Sequence, residues 1–320
     1  MLRRLVQSLP AWARPNHTFL RQYLNDVPLS LKHYLTQQSI VIVGFSLVVI
    51  ISVALLNILQ RFAWSSVASE LIWQVLFFPA LFLQFLLSVR AMNATISAVG
   101  AEKQQQRWDS LRATEEGVAL SFRARWASVY YRLAPYLTLA YLVRLVLIVG
   151  ILYDLTAFRG GYLDLLIANI TPTVSLLVAT LLLAATMAAA VLLPFTAIGF
   201  EASLGLLFST WFHDRVYRVI VLGVWFILRI GALIFFGTII SRFMGGIDTS
   251  DWLVWLSLVM FALLGGWGLV ILQLGTFAAI WALLPNSIFL GVLLLGAVFL
   301  QALLADYCLK WAIHRAQKQE

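Results

Sequence analysis

Apolar runs of about 20 residues recur along this chain and leave few architectures open to it. They cover Ser39 to about Leu59, Leu71 to Val89, Leu133 to Tyr153, Pro172 to Phe195 and Val219 to Ile240, and residues 252–309 are almost continuously apolar. A helix of about 20 apolar residues crosses about 30 Å of hydrocarbon, and a helix satisfies its own backbone polar groups in lipid. The 320 residues are 62% hydrophobic and 11% charged, with a mean hydropathy of +0.92, against about 25% charged in soluble domains. A soluble fold of this size has no means of hiding so much apolar surface. The predicted class is all-α: a polytopic helical membrane protein of about six transmembrane helices, with an N-terminal interfacial helix and a polar cytoplasmic helical loop.

Charge sets the predicted topology. The net charge is +8, which in a membrane protein reflects basic residues gathered on the cytoplasmic side and gives no reason to expect nucleic acid. The segment before the first span, the 90–132 loop and the basic end of the 201–218 loop fall on one side. The loops 154–171 and 241–251 carry one Arg and two Asp each and fall on the other. The N-terminus is therefore expected in the cytoplasm of a cell-membrane protein. Residues 1–38 interleave Arg3, Arg4, Arg14, Arg21 and Lys32 with Leu5, Trp12, Phe19, Leu20 and Tyr23. That pattern suits an amphipathic helix on membrane lipids, in preference to a flexible basic tail. The opening Met1-Leu2-Arg3-Arg4-Leu5 lacks the apolar core and cleavage site of a signal peptide. The segment 39–309 forms the membrane domain and 310–320 a basic tail. Two full spans over 252–283 and 286–309 would put that tail outside. A break at Gly265-Gly266-Trp267-Gly268 followed by one span returns it inside, and this second arrangement is the one expected.

Enzymatic signatures are absent. No Gly-x-x-x-x-Gly-Lys-Ser/Thr phosphate loop occurs, nor a metal-spaced ligand set, nor a Gly-x-Ser-x-Gly elbow, so no cofactor is assigned to this chain. Cys308 is the single cysteine and reads as a packing residue. His17, His33, His213 and His314 all fall in predicted tails or loops. Arg144 and Arg229 fall inside predicted spans, where charge is costly and marks a pathway or a buried partner. They are weak candidates for a substrate path, weighed against snorkelling or structural pairing. Glu201 is a possible partner for another arginine, placed near the interface, and Asp306 with Lys310 forms an i, i+4 helix pair.

The most informative polar segment is 90–132. On a helix, Trp108, Leu111 and Arg112 share one face, with Arg107, Asp109, Ser110 and Glu116 around them. An apolar knob with a charged rim suits docking into a partner's groove, and Trp is a favoured anchor; a solvated helix with no partner is the competing reading. Phe122, Trp126 and Tyr130 then recur at i, i+4, i+8, as on a surface helix leading into the third span.

Glu102-Lys103-Gln104 through Trp108-Asp109-Ser110-Leu111-Arg112-Ala113-Thr114 resembles the first cytoplasmic loop of type-2 ABC transporter permeases, and Glu201-Ala-Ser-Leu-Gly-Leu-Leu-Phe-Ser-Thr210 resembles their Leu-Gly-Leu-x-x-Ser-Ala segment. Two departures stand out: the family's Gly-Thr before the Trp is Gln106-Arg107 here, and its Pro after Thr is Glu115. The resemblance covers about 39–240. It implies a permease subunit, an exporter, coupled through Glu102, Arg107, Trp108, Asp109, Leu111 and Arg112 to a separate ABC ATPase that binds ATP and Mg. It also implies a second permease copy or a sister permease. The rival from another class is an ATPase-independent scaffold or channel-like protein whose loop binds a regulator. A secondary transporter ranks third, because no inverted repeat and few intramembrane carboxylates are present.

Overall fold

A computed structural model describes residues 9–24, 31–58, 68–114, 116–157, 172–212, 214–247, 249–265 and 284–318. Among these residues the protein is 89% helix and contains no strand. The helices, in chain order, are α1 (Thr18–Leu24), α2 (Leu31–Ile58), α3 (Ala68–Ile96), α4 (Ala98–Gln104), α5 (Trp108–Ala113), α6 (Gly117–Ala157), α7 (Leu176–Trp211), α8 (Arg215–Met244), α9 (Asp251–Gly265) and α10 (Leu290–Lys318). Five of them, α3, α6, α7, α8 and α10, are long and apolar enough to cross a membrane. The described residues are all-helical, and their five long apolar helices are those of a multi-pass membrane protein by length and composition.

The helices overrun the predicted spans. At about 1.5 Å per residue, α6 (41 residues) is about 60 Å long and α7 (36 residues) about 54 Å, well beyond the hydrocarbon. The expected 90–132 loop is helical almost throughout: α3 continues past Arg90 to Ile96, α4 and α5 follow, and α6 starts at Gly117. Likewise, most of the expected 201–218 loop belongs to the buried end of α7 and the first turn of α8. Two histidines expected in tails, His33 and His314, lie on α2 and α10.

α7 is the hub, with α3, α6 and α10 packed along it. Association in lipid depends on close backbone approach at small residues, and two glycines supply it. A β-carbon on Gly205 would meet Thr95 Oγ1 at 2.1 Å, and one on Gly291 would meet Thr186 Oγ1 at 2.2 Å. The Phe122, Trp126, Tyr130 stripe of α6 faces α7: Trp126 Nε1 donates to the Gly199 carbonyl (2.9 Å) and Tyr130 Oη to that of Phe195 (3.0 Å). Outside this core, α8 leaves Val219, Ile220, Ile227 and Ile234 exposed, a surface suited to lipid.

One end of the bundle is built up beyond the membrane-length helices. Trp108 and Phe122 pack there with Leu206 of α7 and Ile313 of α10. Beside them, Ala13, Leu20 and Leu24 pack on Ala124 and Ala127 of α6. The apolar side of 12–24, expected against membrane lipid, is thus turned onto α6. The N-terminal segment, the 98–113 region and the C-terminal end of α10 meet at this end, in the relative placement that the charge pattern predicts. At the opposite end, Trp255 Nε1, one turn into α9, donates to the Pro285 carbonyl at 3.2 Å. α9 is described over 15 residues, Asp251–Gly265; of the break expected at Gly265-Gly266-Trp267-Gly268 only Gly265 is described, and residues 266–283 lie outside the described residues.

Candidate functional site

The α4–α5 elbow is fixed by its own backbone. Arg107 N donates to Glu102 O (3.0 Å) and Gln106 N to Lys103 O (3.1 Å), the paired 6→1 and 5→2 bonds of a Schellman helix end. Gln106 takes the left-handed conformation that this motif requires, φ +54°, where glycine would be unstrained. The turn sets α5 against the end of the bundle.

The six residues expected to form one docking surface divide into two groups. Trp108 is 5% exposed and Glu102 is 4% exposed, so neither side chain has a face to offer another chain. The physical reason is that 98–118 folds back on the α6, α7 and α10 ends, and the largest apolar side chain of α5 fills the contact. Leu111 is half-buried against the same cluster. Arg107, Asp109 and Arg112 are exposed, as are Lys103, Gln104 and Ser110. The surface that remains is polar and charged, mounted on a buried indole, with Lys103 Nζ 6.0 Å from the Trp108 ring centre.

Glu102 has an internal role instead. Its Oε1 accepts from Arg125 Nη2 (2.9 Å) and from Tyr23 Oη (3.0 Å). Tyr23 Oη also lies 2.6 Å from Ser121 Oγ, and the Arg125 guanidinium sits 4.6 Å from the Tyr23 ring centre. Burial pushes the Tyr23 hydroxyl above the ordinary tyrosine range, opposed by the nearby Arg125 charge, so the phenol stays protonated and donates at neutral pH. This network ties the N-terminal segment, α4 and α6 together. Arg125 and Tyr23 were not singled out from the sequence, where both read as generic interfacial residues.

The two arginines inside the spans do not share a site. Arg144 of α6 is 1% exposed and donates to the Ala190 carbonyl of α7 and to Gln84 Oε1 of α3 (3.3 Å). It is enclosed by protein and ties α6 to α3 and α7. Arg229 of α8 pairs with Glu201 of α7, and its Nε donates to the Leu264 carbonyl of α9 at 2.8 Å. Trp225 Nε1 donates to the second Glu201 oxygen at 3.1 Å. Glu201 therefore lies within the bundle, buried between α7 and α8. Beside Arg229 opens an apolar cleft of about 430 Å³ walled by Phe78, Phe82, Phe85, Leu233 and Leu264. The Glu201 carboxylate balances the guanidinium charge before it reaches that cleft.

Comparisons with known protein families, curated proteins and solved structures returned no match.

Proposed function

We propose that this chain is the membrane permease subunit of an ABC transporter, working as an exporter, and that a separate ATPase subunit docks on the α4–α5 elbow. ATP and Mg belong to that partner. The observation that carries the reading is the division of α5: an exposed rim of Arg107, Asp109, Ser110 and Arg112 over a Trp108 buried with residues of α6, α7 and α10. Force applied to the rim passes through the indole into three long helices at once. Packed cores resist continuous deformation, so displacement of the elbow moves those helices as bodies, as alternating access requires. A second support is Gln106, which holds a left-handed backbone at the position where the resembled permeases carry glycine.

In this reading α2, α3, α6, α7, α8 and α10 make six crossings, and α9 begins at the outer side. The elbow, the N-terminal segment and the basic α10 end face the cytoplasm of a cell membrane. A second permease copy or a sister permease completes the assembly, and the apolar cleft beside Arg229 is a portal for an apolar substrate. The test is isolation of the tagged full-length chain in mild detergent from cells carrying its native gene neighbourhood. A soluble ATP-hydrolysing protein accompanies the wild type and is lost from Arg107→Glu/Arg112→Glu at equal chain yield. Recovery of a non-ATPase regulator in its place would favour the scaffold or channel reading.

A further inference from the structure

A second polar feature lies at the same end, away from the elbow's exposed rim. A cleft of about 540 Å³ opens between the end of α3, α4 and the first turn of α8. Asn93, Ser97, Gln104, Arg215 and Arg218 supply its polar lining, and no carboxylate lines it among the described residues. Arg218 presses on the α4 backbone, so closely that a β-carbon on Gly100 would lie 3.3 Å from its Nη1. Its Nε is buried and has no hydrogen-bond partner among the described residues. A buried guanidinium N–H without an acceptor is costly, and the adjoining cavity has room for one. The first turn of α8 holds no acidic residue; Asp214 stands at its N-cap without a capping bond and does not line the cleft.

We propose that this cleft binds a phosphate group, with Arg215 and Arg218 supplying the charge and Asn93, Ser97 and Gln104 the remaining hydrogen bonds. Two arginines suit the tetrahedral oxyanion because guanidinium forks donate in pairs to phosphate oxygens. The position, where α8 begins its apolar run, is where basic pockets between membrane helices take lipid headgroups. The phosphodiester of an anionic phospholipid is therefore the expected source, and soluble phosphate is the other source of the same chemistry. The inference does not depend on the transporter reading.

Native mass spectrometry of the detergent-purified full-length chain tests it, with phosphatidylglycerol or phosphatidylcholine added at equal concentration. The wild type is expected to retain phosphatidylglycerol preferentially, and Arg215→Gln/Arg218→Gln to retain about tenfold less, the loss for about 1.4 kcal/mol. Arg242→Gln, an exposed arginine at the far end of α8, leaves retention unchanged. Displacement of the lipid by millimolar inorganic phosphate would identify soluble phosphate as a ligand of the same cleft. Retention indifferent to phosphate would identify the lipid headgroup. If the double variant fails to fold, Arg215→Gln alone and Gly100→Leu, which crowds Arg218 without removing charge, are both expected to lower retention. Equal retention of the two lipids by the wild type, or equal phosphatidylglycerol retention by wild type and folded variants, would overturn the proposal.

Discussion

Arg229 and Glu201, on α8 and α7, form an ion pair inside the helical bundle, their side chains 5% and 3% exposed. Removing one partner of such a pair leaves an uncompensated charge and costs about 3–5 kcal/mol, whereas replacing both by apolar groups is often neutral. Glu201→Gln and Arg229→Met are each expected to lower the detergent-solubilised Tm strongly, and Glu201→Leu/Arg229→Met to recover most of the loss. A double variant as unstable as the singles would contradict the pairing.

Trp108 and Arg112 sit four residues apart on the six-residue α5 and differ in burial. Trp108→Ala should cost about 3–5 kcal/mol, as truncation of a buried aromatic does, while Arg112→Ala should stay within about 0.5 kcal/mol. Thermal unfolding of both variants checks this. Equal, small effects would mean that the indole is not part of the core.

Gly205 and Gly291 allow α3 and α10 to reach the α7 backbone. Gly205→Val and Gly291→Val should each cost about 1–3 kcal/mol by overpacking, whereas Gly223→Ala, with nothing within 4 Å of the added β-carbon, should be neutral. Near-neutral valine variants would show that these helices do not approach so closely.

Tyr23 links the N-terminal segment to Glu102 and Ser121. Its hydroxyl titrates above the ordinary tyrosine range because it is buried. The sign follows: below pH of about 10 both folded and unfolded states hold the proton, so the contribution is constant; above it the unfolded chain ionises first and stability falls. Amide protection over residues 9–24, taken relative to the pH-dependent intrinsic exchange rate, should be flat through neutral pH and fall in alkali. Tyr23→Phe should lower that protection at neutral pH, by the loss of about 0.5–1.5 kcal/mol per hydrogen bond, and flatten the alkaline fall.

Much of this was legible in the sequence because hydropathy and charge report transfer energies that act locally. The apolar runs mark the long helices, and the alternation of loop charge places 98–113 and the end of α10 together. The Asp306–Lys310 pair is present at 2.6 Å, as i, i+4 spacing implies. What sequence periodicity does not report is which side chain a helix turns toward its neighbours. Trp108 and Glu102 carry the residue types of an exposed anchor and a surface charge, and their burial follows from α4 and α5 folding onto α6, α7 and α10. Glu201 as a candidate partner was visible, but its pairing with Arg229 depends on how α7 and α8 pack. The cleft at Arg218 was invisible because Asn93, Gln104 and Arg218 come together only in the fold.

The most direct test of the central claim is site-specific photo-cross-linking from the elbow in the full-length chain in native membranes. A cysteine-directed photoprobe at Ser110→Cys, in a Cys308→Ala background, should yield a cross-link to a soluble ATP-hydrolysing subunit, and the same probe at Asp251→Cys, at the opposite end of the bundle, should yield none. A Ser110 probe that captures no ATP-hydrolysing protein under conditions in which the chain is intact and folded would contradict the account.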